Sequence, residues 1–159
     1  MGSTARGVLL VSLLLAVVAP SAQAADRSVE IRLEARGIQY EVDEDNDYRV
    51  TIAYTDEGRT QLAYVSGGTE SVGGFTVREI FAPAGRVEAD GIDGDKALAL
   101  LADSRSNKLG SWELAGDLLY FVIKLPDSID AAQLETALGL VAQMADDMEI
   151  QLSGDRDEL

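Results

Sequence analysis

Asp43, Asp45 and Asp47 have the alternate spacing that opens a calcium-binding loop. Such a loop next requires a glycine and later a bidentate glutamate, where this chain has Tyr48 and Tyr54. Strand-like alternation begins at Tyr48, so the run is expected to be a solvated acidic turn and not a metal site. Asp90, Asp93 and Asp95 form a second acidic loop, read as turn and helix-cap residues. The chain has no histidine and no cysteine. That excludes serine–histidine triads, thiol nucleophiles, and zinc sites built on thiolate or imidazole. Gly67-Gly68 and Gly73-Gly74 lack the lysine, serine or helix that a phosphate cradle needs, and Gly110-Ser111-Trp112 is not a nucleophile elbow. Paired carboxylates are the remaining acid–base chemistry. No catalytic, cofactor or metal residue is assigned. The expectation is a binding protein, with a small envelope enzyme using carboxylates alone as the alternative.

The elements that would position these residues are legible from period and punctuation. Ser28 caps a first helix, Val29 to Arg36. Tyr48, Val50, Ile52 and Tyr54 alternate with Arg49, Thr51 and Ala53, the pattern of a half-buried strand. Asp56-Glu57-Gly58 turns the chain into a partner strand, Thr60 to Val65. A third strand, Phe75 to Phe81, ends at Ala82-Pro83-Ala84-Gly85. Asp95 caps a helix from Lys96 to about Lys108, with Leu98, Leu101, Ala102 and Leu109 as its apolar stripe. Ser111 to Leu114 and Leu118 to Leu125 form the final hairpin through Ala115-Gly116-Asp117. After Pro126, Asp130 and Gln133 match a capping box, opening a helix striped by Leu134, Leu138, Val141, Ala145, Met148 and Leu152. The order is α-β-β-β-α-β-β-α. It predicts an α+β domain, an antiparallel five-stranded sheet with helices mainly on one face.

The first residues read as an address. Arg6 precedes an apolar run from Val8 to Ala19, and Ala22-Gln23-Ala24 fits signal-peptidase cleavage between Ala24 and Ala25. The run falls short of the roughly 20 apolar residues of a membrane span. Residues 1–24 are therefore expected to be a cleaved signal peptide, and residues 25–159 one domain with a short acidic tail and no stable membrane anchor. Cleavage would leave twelve basic against twenty-eight acidic residues, a charge of −16. This balance disfavours nucleic acid and anionic lipid as partners. The expected location is the periplasm or the extracellular medium. The terminal Arg156-Asp157-Glu158-Leu159 is close to the Lys-Asp-Glu-Leu retention signal, so a lumenal resident of the endoplasmic reticulum is the rival placement.

The element order, with the run from Tyr40 through Glu41-Val42-Asp43-Glu44-Asp45-Asn46-Asp47 to Tyr48-Arg49-Val50, resembles the bacterial YbjN-domain family. The resemblance covers about Ser28 to Leu152. That family is labelled as regulators of sensory transduction, and its fold is similar to that of type III secretion chaperones. The resemblance implies a chaperone-like or regulatory domain and no catalytic residues. Asn46 stands where a glycine is usual in the family, and asparagine tolerates the same left-handed turn.

A partner surface follows from the last strand. If Leu119, Phe121, Ile123 and Leu125 face the helices, then Leu118, Tyr120, Val122 and Lys124 face away. Three of those four are apolar, more than an ordinary solvent face carries. Leu118, Tyr120 and Val122 are thus candidate contacts for a protein or peptide, either a client or a second copy in a homodimer. The alternative is that Trp112 or another side chain covers them within the monomer.

Overall fold

The computed structural model describes residues 26–154 together with Asp157 and Leu159. The predicted signal peptide and its cleavage point at Ala24–Ala25 lie outside the described residues. Ten elements follow one another: α1 (Arg27–Ala35), β1 (Glu41–Val42), β2 (Tyr48–Tyr54), β3 (Arg59–Val65), β4 (Glu70–Val72), β5 (Phe75–Arg86), α2 (Gly94–Ser106), β6 (Ser111–Ala115), β7 (Leu118–Pro126) and α3 (Ala131–Ser153). The sheet is antiparallel and seven-stranded, in the order β1-β2-β3-β5-β7-β6, with β4 paired to β5 beside that path.

The α+β class is as expected, but the strand count is not. Two short strands were missed because neither has enough residues to show alternation. Glu41 and Val42 pair with Arg49 and Tyr48, so the acidic run is the turn of a small hairpin. Asn46 takes the left-handed conformation there, at φ 66°. Glu70 to Val72 folds back on Phe75 to Val77 through Gly73 and Gly74, both at positive φ.

β5 also runs past Pro83, where the sequence predicted its end. Proline removes a donor, but the Pro83 carbonyl accepts the Gln61 side chain of β3 at 2.8 Å, so its missing N–H faces β3 too. Between β3 and β5 the Cα register comprises only Tyr64↔Phe81 and Val65↔Ile80. Pro83 therefore sits beyond the last rung, where no ladder bond is lost. On its other side β5 follows β7 from Val77 to Arg86, with an irregularity between Pro83 and Gly85.

α3 begins with the capping box predicted for Asp130 and Gln133, bonded reciprocally at 2.8 and 2.9 Å. Its buried residues include Leu134, Leu138, Val141 and Ala145, and they pack with Ile80, Ala82, Leu119, Phe121 and Ile123 of the sheet. Val29 and Leu33 of α1 join the same core. The cap of α1 is Asp26, not Ser28: the Asp26 carboxylate accepts from the Ser28 N–H. The cap and stripe predicted for α2 are corrected as well: Asp93, not Asp95, is its cap, with the Asp93 carboxylate accepting the Asp95 and Lys96 N–H groups. Leu98, Leu101 and Leu109 are exposed, and Leu100 is the buried residue. α2 lies along the β6 edge, where Leu100 and Ser104, one turn apart, face inward. The Ser104 hydroxyl accepts the Trp112 N–H at 3.0 Å, which caps an edge donor.

Candidate functional site

The site is the sheet face turned away from α1 and α3. In β7, Leu119, Phe121 and Ile123 are buried against the helices, and alternation puts Leu118, Tyr120 and Val122 on the opposite face. All three predicted contact residues therefore share one face, but only Leu118 and Tyr120 are half-buried there, while Val122 is buried at 6% exposure. Register places Phe81 beside Val122, Pro83 beside Tyr120, and Tyr64 beside Phe81. The rings of Tyr64 and Phe81 stack at 5.1 Å, and Tyr120 meets Phe81 edge-on at 5.7 Å. These rings and Leu62 floor an open hollow of about 570 Å³. Among the described residues no helix lines it. Burial raises the pKa of the Tyr120 phenol, with Tyr64 adding to the rise and Arg86 opposing it. Burial also raises that of Tyr64, against the pull of Arg49. Both tyrosines thus stay neutral and present hydroxyl donors.

The rim is acidic. Asp43, Asp45 and Asp47 line one end, Glu79 and Glu113 line other parts, and Arg86 is the basic residue among the lining side chains. Lys124 lies between Glu113 and Glu79, at 2.9 and 3.3 Å. The Asp43 carboxylate accepts the N–H groups of Asp45 and Asp47, both at 2.9 Å, and this folds the turn tightly. Asp47 accepts the Gly67 N–H at 2.9 Å. Burial holds its carboxyl above the usual range, a shift the Gly67 bond opposes and the charges of Asp43 and Asp45 increase. Among the described residues no group of three or more acids is arranged to hold a metal ion.

A buried guanidinium fixes the strand that carries Phe81. Arg78 is 1% exposed. It donates to Asp127 at 2.6 Å, to Asp26, and to the carbonyls of Ser66 and Gly68. Arg32 of α1 reaches the same Asp127 at 3.0 Å. One side chain thereby ties the start of α1, the loop after β3 and the turn before α3. A second charged cluster joins β3 to α3, where Arg59 pairs with Asp146 at 2.8 Å and Glu149 at 3.2 Å.

Trp112 does not cover the open face. Its register partner is Phe121, which it meets edge-on at 4.9 Å on the helix side. There it lines a second hollow of about 450 Å³ between α2 and α3, with Met144, Met148 and Leu152.

No family model and no curated protein matches the chain. A solved structure does, the HopA1-SchA chaperone–effector complex, at a TM-score of 0.53 and 10% identity over 75% of this chain and 88% of that one. The fold is chaperone-like. Identity this low concerns the path of the backbone and no side chain of the hollow.

Sequence reasoning found the β7 part of this surface and missed Leu62, Tyr64, Phe81 and Pro83. Their signal was present: Gln61, Ala63 and Val65 are the buried phase of β3, so Leu62 and Tyr64 form an apolar opposite phase. An apolar residue on both phases marks a strand with two covered faces. Nothing in the sequence pointed to Arg78 as a hub, because its carboxylate partners lie 49 and 52 residues away.

Proposed function

We propose that this chain is an exported, YbjN-like protein acting without catalysis, as a chaperone-like module that binds a protein or peptide on the open face of its sheet. One observation carries the reading: three strands bring Leu62, Tyr64, Phe81, Leu118 and Tyr120 into one apolar surface over which no helix lies among the described residues. A core face gains nothing from aromatic groups aimed outward, whereas a binding face does, since aromatic side chains contribute large contact area at low entropic cost. The likeness to a chaperone–effector complex supports a fold suited to holding another chain. The acidic balance supports a protein partner over nucleic acid. Periplasmic or extracellular placement rests on the N-terminal segment.

Affinity capture from cell-envelope extract, with the wild-type chain and Tyr120→Asp as baits, tests this. The expected result is a stoichiometric partner held by the wild type and lost from a Tyr120→Asp variant with native-like circular dichroism. Substrate turnover abolished by a single Asp or Glu substitution would establish an enzyme instead. N-terminal sequencing of the recovered protein should begin at Ala25, and an intact Met1 on membrane-bound protein would refute the export reading.

A further inference from the structure

The open hollow has a charge pattern that narrows what can occupy it, given the proposed reading of this face as the binding surface. The carboxylates of Asp43, Asp45, Asp47, Glu79 and Glu113 line it, against one lining base, Arg86. The acids are not spread evenly. Three lie on the β1–β2 turn at one end, and Glu113 lies on β6 at the far edge of the sheet. Between them the floor is Tyr64, Phe81 and Tyr120. Lys124 answers Glu79 and Glu113 in part, but none of the cations in the described ion pairs reaches the turn acids. An acidic or phosphorylated ligand would meet this rim at like charge. The chain's own Leu159 lines the hollow, so an aliphatic side chain is accommodated there.

We propose that the occupant is an extended basic peptide segment whose apolar side chains rest on Tyr64, Phe81 and Tyr120 while flanking lysines or arginines meet the Asp43–Asp47 turn and Glu113. Crossing from the β1–β2 turn to β6 spans four to five strand spacings, about 20–24 Å, which an extended chain covers in roughly seven residues. Apolar residues two apart point to the same side and both reach the floor. The acidic ends speed encounter and reject anionic chains, and the aromatic floor supplies the holding contact.

The test is fluorescence anisotropy with three labelled heptapeptides: Lys-Lys-Leu-Ser-Leu-Lys-Lys, its counterpart with Glu for every Lys, and its counterpart with Ser for both Leu. Only the first should bind. Its affinity should fall about tenfold or more with Asp45→Lys, whose side chain is exposed, and on raising salt. It should be abolished by Tyr120→Asp and by Leu118→Asp, two variants checked by circular dichroism so that unfolding of one leaves the other decisive. Equal binding of the Glu peptide, with Tyr120→Asp still abolishing it, overturns the charge inference and leaves the face reading standing. Binding of the Lys-Leu peptide that survives both face variants overturns the two together. A wild-type dimer that Tyr120→Asp dissociates would make a second copy the occupant and refute the proposal. So would peptide binding seen only with Leu159→Ser, which would make the chain's own tail the occupant.

Discussion

Tyr64 and Phe81 stack with their rings 5.1 Å apart and only 6° from parallel, at one of the two register pairs that join β3 to β5. The two strands part directly beyond this pair. There Gln61 reaches across to the Pro83 carbonyl, and Asp157 accepts the Thr60 N–H at 3.3 Å. The stack thus sits at the short seam between β3 and β5 and floors the hollow on its open face. Seam and hollow have one origin: β5 leaves β3 to follow β7, and the separation opens the space.

Arg78→Leu should destabilise the domain by about 3 kcal/mol in urea denaturation, the lower end for breaking a buried charge pair because Asp26 and Asp127 remain partly hydrated. Burial pushes both carboxyls up, but hydrogen bonds outweigh it: from Ser28 and then Arg78 at Asp26, and from Arg78 and then Arg32 at Asp127. The net shift is below the ordinary value of 3.8 for each. A folded pKa below the unfolded one contributes stability above about pH 4 and loses it as the pH falls through the folded value. The wild type should therefore show an acid-dependent loss of stability below about pH 4 that Arg78→Leu lacks in large part. An unchanged acid profile in the variant would remove this hub from the account.

Gly67 and Asp47 should respond in opposite directions. A Cβ at Gly67 would stand 2.0 Å from the Asn46 carbonyl oxygen, so Gly67→Ala must move the loop and strain its bond to Asp47. The expected cost is about 1–3 kcal/mol. Asp47→Asn keeps an acceptor for the Gly67 N–H and removes a charge repelled by Asp43 and Asp45. At neutral pH it should be neutral or stabilising, because a raised carboxyl pKa disfavours the ionised folded state there. Thermal melts of the two variants at pH 7 check both signs.

Ile123 is 1% exposed and pairs with Ile80 beneath α3. Ile123→Ala should cost about 2–5 kcal/mol through lost burial and the cavity left behind. A loss below about half a kcal/mol would mean that β7 is not the central strand described.

The acidic turn should not hold calcium tightly. Asp43 already accepts two backbone N–H groups, and Tyr48 is fully buried in β2 with its hydroxyl bonded to the Asp26 carbonyl at 2.8 Å. Calorimetry should find no stoichiometric micromolar site. One that vanished in Asp45→Asn would reverse this assignment.

What could be read in the chain follows from the range of the forces involved. The capping box at Asp130 and Gln133 and the alternation of Tyr48 to Tyr54 are local, and each is formed as expected. The face containing Leu118, Tyr120 and Val122 was legible because strand parity is local too. The α2 stripe misled because that helix packs on a sheet edge, where one face with Leu100 suffices and Leu98 and Leu101 stay outside. β5 outran its proline because a lost donor matters only where a neighbour would have accepted it. The Arg78 hub and the burial of Asp146 and Glu149 against Arg59 join distant parts of the chain, and no periodicity encodes them.

The most direct test of the open face is an amide chemical-shift titration of the full chain with the Lys-Lys-Leu-Ser-Leu-Lys-Lys peptide. The predicted result is a set of shifts centred on Tyr64, Phe81 and Tyr120 and extending to Asp45, with the Trp112 indole resonance unmoved on the opposite side of the sheet. Shifts centred instead on Trp112, Met144 and Met148, in the groove between α2 and α3, would contradict it.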